Sequence, residues 1–225
     1  MDKSNTFIFT QARLASQRLP QKMLLPFAGR SLWDIACEKL SQIQLPTRQK
    51  WVSVYESQLE DVAEQYDLSV YQRSYQSAHS DNGVAEIWEI CSRVKFDYYV
   101  MFNPCLPLLS VETIEDFLEY FMAVPEESLF AVTPVRDYFW GEDQELIFPR
   151  GATMLNTKEA PQLYKAAHAL YAGRVSDICN NVQLGDFTKD NPALYVMKNS
   201  KVELLDVDDR EDFEIAEAVY VRRNQ

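Results

Sequence analysis

Residues 6–32 read TFIFTQARLASQRLPQKMLLPFAGRSL: a short apolar run, a loop carrying Arg13, Arg18 and Lys22, and the start of an amphipathic segment. The order of these parts decides the fold. Thr6 to Thr10 is too short for a helix and is built of aromatic and β-branched side chains, which predicts a strand buried on both faces. Ser31 then offers an N-cap, and Leu32, Ile35, Ala36, Leu40 and Ile43 follow at helical spacing, which predicts a helix over 31–43. A loop between such a strand and helix lies where α/β sheets receive their ligands. The clustered cations repel one another unless solvent or an anion compensates them, so the loop is either a solvated turn or a holder of something negative. Charge spacing alone favours the solvated turn, because a lone basic cluster is a weak signal. Backbone N–H groups and the Ser16 hydroxyl beside the cations have the makings of a phosphate cradle.

The alternation continues outward. Trp51–Tyr55, Tyr98–Phe102, Leu129–Val135 and Leu194–Met197 read as further short apolar strands, and Leu59–Tyr66, Val84–Val94 and Ser110–Met122 as helices between them. Strands alternating with helices predict an α/β fold with a doubly wound, mainly parallel sheet. The run DYFWGEDQELIF at 137–148 breaks the pattern. Residues 136–175 are therefore read as an excursion for a substrate lid or dimer contact, with Trp140 at its aromatic centre, inside one domain spanning 1–225.

Composition narrows the function. With 34 acidic and 22 basic residues the formal charge is −12, which argues against broad binding to nucleic acid or to anionic membranes, so any anion site is a local basic island. The four cysteines, at 37, 91, 105 and 179, form no CxxC pair, and with only two histidines this argues against a zinc site or disulfide framework; they read as reduced core thiols. Neither a signal peptide nor a membrane span is legible, which predicts a cytoplasmic protein. Trp33, Trp51 and Trp88 read as core, His79 and His168 as surface or satisfied polar residues.

A second constellation lies in LLDVDDREDF at 204–213. In extended backbone Asp206 and Asp208 face one side and can present two carboxylates to one point, which suits Mg²⁺. The other reading is a cluster of acids at the entry of a terminal helix, where the helix dipole favours negative charge. Taken alone, the two readings stand level. Phe213, Ile215, Ala216, Val219 and Tyr220 are the expected core contacts of that helix. A polyphosphate cradle and a paired-aspartate metal site together are the two halves of nucleotidyl transfer.

With both halves in view, QARLASQRLPQKMLLPFAGRSL resembles the opening motif of the sugar-acid cytidylyltransferases, which include CMP-sialic acid (acylneuraminate) synthetase, CMP-Kdo synthetase and related spore-coat polysaccharide proteins. The likeness continues in order at Arg73 with Ser80-Asp81, at FNPCLPLLSVETI (102–114), TPVRDYFW (133–140) and LLDVDDREDFEIAEAVY (204–220). It implies a nucleotide-diphospho-sugar transferase-like, Rossmann-like fold and a homodimer. Arg13 and Lys22 match the residues that hold the triphosphate, and Ala12, Ser16, Arg18, Arg73 and Asp81 join them as nucleotide-binding positions. Asn103 and Tyr171 match positions that touch the sugar acid, Asp206 and Asp208 the metal-binding aspartates, and Arg13, Lys22 and Asp208 the catalytic group.

The implied reaction transfers CMP from CTP to a 2-keto sugar acid with Mg²⁺ and releases pyrophosphate. Ala15, Gln21 and His168 stand where the family pattern has glycine, each adding a Cβ where backbone can require positive φ or close approach to phosphate. Those losses favour the alternative of a catalytically idle relative acting as a binding or assembly partner. A third reading keeps the chemistry with another nucleotide or a phosphonate acceptor.

Overall fold

The computed structural model describes residues 4–80, 82–124, 128–148, 156–188, 191–198 and 200–224. Its strands are β1 (Thr6–Gln11), β2 (Pro26–Phe27), β3 (Arg30–Ser31), β4 (Lys50–Val54), β5 (Ser69–Gln72), β6 (Tyr98–Phe102), β7 (Leu129–Val135), β8 (Leu163–Arg174) and β9 (Ala193–Val196). Its helices are α1 (Leu32–Gln42), α2 (Ser57–Ala63), α3 (Tyr75–His79), α4 (Val84–Ile87), α5 (Val111–Ala123), α6 (Val175–Cys179), α7 (Ser200–Glu203) and α8 (Arg210–Arg223).

Seven strands form one sheet in the order β5-β4-β1-β6-β8-β7-β9, with β8 antiparallel to both its neighbours and every other pair parallel. Side-chain alternation explains why both faces are covered. In β1, Ile8 joins the core under α1, α2, α5 and α8, while Phe7 and Phe9 turn to the opposite face against Trp88, Ile90, Val175 and Ile178. Tyr98, Val100 and Phe102 of β6 repeat the first pattern, Tyr99 and Met101 the second. The sheet is thus doubly wound, as the strand runs predict.

Local signals set the helix entries. Ser31 accepts the Asp34 N–H at the start of α1, and Ser110 accepts that of Thr113 at the start of α5. Along α5, Ile114, Phe117 and Phe121 are fully buried, a burial that stabilises the fold by about 1.5–3 kcal/mol for each large side chain. A capping box between Asp209 and Asp212 starts α8. There Phe213 and Ala216 are buried, whereas Ile215, expected in the core, is 47 % exposed.

Three expectations are revised. Residues 163–174, read as part of the excursion, form β8, which is paired on both edges inside the sheet. Trp33 and Trp88 are core, but Trp51 is half-buried. All four cysteines are free; Cys37 and Cys91 are buried, Cys105 is half-buried and Cys179 is exposed.

Candidate active site

The loop after β1 is closed on itself by backbone bonds. Leu14 O accepts from Ser16 N (2.8 Å) and Gln21 N (3.2 Å), and Lys22 N donates to Leu19 O (3.1 Å). This closure requires left-handed backbone at Gln21, φ 55°. His168, in another of the lost-glycine positions, has φ 50° and sits at the irregularity where the β7–β8 register shifts. Ala15 has no positive φ. The backbone conformation that a glycine would favour therefore persists at Gln21 and His168 without the glycine.

A stability difference is expected from this contrast. Gln21→Gly relieves a left-handed residue and should raise the melting temperature, whereas Ala15→Gly only frees the unfolded chain and should lower stability by about 0.4–1 kcal/mol. Thermal melts of the two variants check it, and equal shifts in one direction would refute the backbone account.

The loop forms one wall of a cleft of about 550 Å³ at the carboxyl ends of β1 and β6. Ala12, Arg13, Ser16, Arg18 and Lys22 line it from the loop, Arg73, Ser77 and Ser80 from beyond β5, and Asn103 and Cys105 from beyond β6. Arg13 is held by Ala78 O at 2.7 Å. Arg73, 5 % exposed, donates to Ser77 Oγ (3.1 Å) and to the carbonyls of Ser77 and Ile87. Burial first, and the nearby charge of Arg13 second, lower the Arg73 pKa to about 10. An arriving anion would relieve the repulsion between these arginines.

On the other side, Lys22 joins the loop to the acidic segment, its Nζ donating to Val207 O (2.7 Å) and to Asp208 Oδ1 (3.3 Å). Arg18 pairs with the same Asp208 oxygen at 2.8 Å. Burial alone would lower the Lys22 pKa; Cys105, Asp208 and Asp206 outweigh it and raise the value above that of an ordinary lysine. The Cys105 thiol is itself pushed up to about 11 by burial, so it is neutral at pH 7 and the carboxylates are the counter-charges that matter.

Asp206 is more poorly satisfied. Its Oδ2 accepts from the Asn103 amide at 3.4 Å, and its Oδ1 is buried with no hydrogen-bond partner. Burial and then the charge of Asp208 raise its pKa above the ordinary carboxylate value, against the pull of Lys22. Tyr171 is not among the residues lining the cleft; its ring packs against Trp88 and Phe130 and its hydroxyl lies 3.1 Å from His168 Nδ1. Burial, then the Asp206 charge, push its phenol up to about 12. Asp81 lies outside the described residues. Among the described residues no group of three or more His, Cys, Asp or Glu is placed to hold a metal.

A family model described as cytidylyltransferase matches residues 7–224. The chain belongs to the cytidylyltransferase family. Among solved structures, this cytidylyltransferase is similar to CMP:2-keto-3-deoxy-manno-octonic acid synthetase complexed with CTP, at 16 % identity and a TM-score of 0.73, over 98 % of this chain and 100 % of that one. It is similar to 4-diphosphocytidyl-2C-methyl-D-erythritol synthase from Anaerococcus prevotii DSM 20548, at 13 % identity and a TM-score of 0.68, over 98 % of each chain. A cytidylyltransferase from Leptospira borgpetersenii serovar Hardjo-bovis (strain JB197) follows at 18 % identity and a TM-score of 0.52, over 77 % of this chain and 62 % of that one. A search of curated proteins gives no match. The chain is thus a nucleotidyltransferase of Rossmann-like fold, and none of its helices among the described residues is long and apolar enough to cross a membrane.

Sequence reasoning missed Glu56, which follows β4 and accepts the Leu14 N–H at 3.0 Å, bracing the cationic loop from outside. It also missed Cys105, which has no motif of its own. A carboxylate directly after a strand that borders the loop strand was the available signal for Glu56.

Proposed function

We propose that this cytidylyltransferase transfers CMP from CTP to the anomeric hydroxyl of a 2-keto sugar acid, sialic-acid-like or Kdo-like, and releases pyrophosphate. The observation that carries the reading is the junction at Lys22, where the loop bearing Arg13 and Arg18 meets the segment bearing Asp206 and Asp208. The bond from the acceptor oxygen to the α-phosphorus forms as the bond from that phosphorus to the pyrophosphate oxygen breaks, and the hydroxyl proton passes to solvent. Arg13 and Arg73 meet the negative charge of the triphosphate, and Lys22 meets the charge that grows on the leaving pyrophosphate. Asn103 lines the cleft, and its amide donates to Asp206 at 3.4 Å.

Asp206 and Asp208 suit Mg²⁺, because Asp206 Oδ1 lacks a partner and a hard divalent ion takes one or two carboxylates together with substrate phosphates. When bound, the ion supplies charge neutralisation at the phosphate oxygens. The CTP-bound synthetase of similar fold supports a sugar acid as acceptor. The left-handed Gln21 weighs against the idle-relative alternative, since the loop keeps its closed form. The reading includes a homodimer through Tyr138–Trp140, supported by the 60 % exposure of Trp140.

The test is pyrophosphate release with each of four nucleoside triphosphates and Mg²⁺ against a panel of sugar acids, on protein whose sedimentation is recorded. CTP with a 2-keto acid should be the productive pair, in a dimer. Turnover restricted to a non-acidic acceptor would refute the substrate, and a concentration-independent monomer the assembly.

A further inference from the structure

Lys39 and Glu203 are charged side chains that the chemistry above does not use, and both reach into the loop that follows β6. In the last turn of α1, Lys39 Nζ donates to Leu106 O (2.9 Å) and Pro107 O (2.7 Å). Burial lowers its pKa to about 7, opposed by Glu203 and Glu38. Glu203, 3 % exposed, closes α7. Its Oε1 accepts from Ser110 N (3.1 Å), Ser110 Oγ (2.6 Å) and Thr113 Oγ1 (2.8 Å), and its Oε2 from Thr113 Oγ1 (3.0 Å). A carboxylate with this many donors at a helix N-terminus is held by charge-assisted bonds and by the positive end of the helix.

The loop so clamped in turn holds the acidic segment. Val207 N donates to Cys105 O at 3.0 Å, and the Asn103 amide reaches Asp206. We propose that Glu203 and Lys39 are positioning residues that fix the register of segment 203–208 against loop 103–110, and so set where Asp206 and Asp208 present their oxygens. The kinetic consequence rests on the cytidylyl-transfer reading; the positional claim does not.

The test uses Glu203→Gln and the milder Thr113→Val, which keeps the Glu203 charge and the Ser110 cap. Hydrogen exchange at the Val207 amide is measured without nucleotide or metal, and kcat and KM for CTP are measured with Mg²⁺ and the productive acceptor. In Glu203→Gln, Val207 exchange should accelerate about tenfold as the local opening becomes easier. Because misplacement by an ångström costs on the order of 100-fold, kcat should fall about 10- to 100-fold, while KM for CTP changes less, since Arg13 and Arg73 are held outside segment 203–208. Thr113→Val should move both readouts in the same direction by less, and it carries the test if Glu203→Gln fails to fold. Unaltered Val207 exchange overturns the inference whatever the activity. Faster exchange with unaltered kcat in an active enzyme overturns it as well. If the wild type transfers CMP to no sugar acid, the substrate proposal fails, and the exchange measurement still decides this one.

Discussion

Asp206→Asn should cost at least about 100-fold in turnover and yet melt at a higher temperature than the wild type, because the carboxylate proposed to serve the reaction is unfavourable to the fold. Its Oδ1 is buried without a partner and Asp208 stands nearby, so ionisation is disfavoured in the folded chain. The sign of the pH dependence follows from a folded pKa above the unfolded one. Stability contributed by protonated Asp206 is fully present below about pH 3.9 and is lost as pH rises through the folded value. The variant's advantage should therefore be largest near neutrality and vanish in acid. For a chain of this size each kcal/mol gained shifts the midpoint by about 2–4 °C, within reach of melts across a pH series. Asp208→Asn should lose turnover without that gain, since Asp208 is paired with Arg18 and Lys22. An Asp206→Asn protein with full activity, or one that melts lower at neutral pH, would overturn the assignment.

Lys22→Met should lower kcat/KM by about 10²–10³, the range for removing one preorganised electrostatic donor. Methionine keeps the packing of the side chain, which is only 13 % exposed, while the bonds to Val207 O and Asp208 disappear. CTP affinity should fall too, by the equivalent of about 1.5–3 kcal/mol for a charge-assisted bond, and calorimetry with CTP and Mg²⁺ reads it directly. The Asp206 pKa should climb further, because of the two groups that hold it down, Lys22 and the Asn103 amide, only the second remains. Unchanged CTP binding would show that the loop cations act elsewhere.

Short, mostly buried strands are legible because large apolar and β-branched side chains dominate them, and β1, β4, β6 and β7 appear in the sequence for that reason. β5 is four residues long and only partly buried, so SVYQ carries no such mark. β8 escapes for a different cause. Its first three residues, Leu163 to Lys165, are exposed, its register breaks near His168, and its antiparallel direction leaves no helix crossover to announce it. In the site, the loop cations and the paired aspartates are visible because each cluster is local in sequence. Glu203 and Lys39 look like ordinary surface charges, since their partners are main-chain groups and hydroxyls far along the chain. Gln21 is legible only as a departure from a family pattern; that it keeps a left-handed backbone is a property of the folded loop.

The bond between Lys22 and Asp208 spans 186 positions of sequence, and that between Asn103 and Asp206 spans 103. Contacts of such separation close large loops and form slowly. On the ribosome the cationic loop emerges early and waits for its counter-charges until every strand of the sheet has been made. A product halted or clipped before Asp206 contains every strand from β1 to β9 but lacks the acidic segment and α8, with the buried Val207, Phe213 and Ala216. Secondary-structure content therefore reports the sheet and its helices, while the closing of the cleft is read at the Lys22–Asp208 and Asn103–Asp206 contacts.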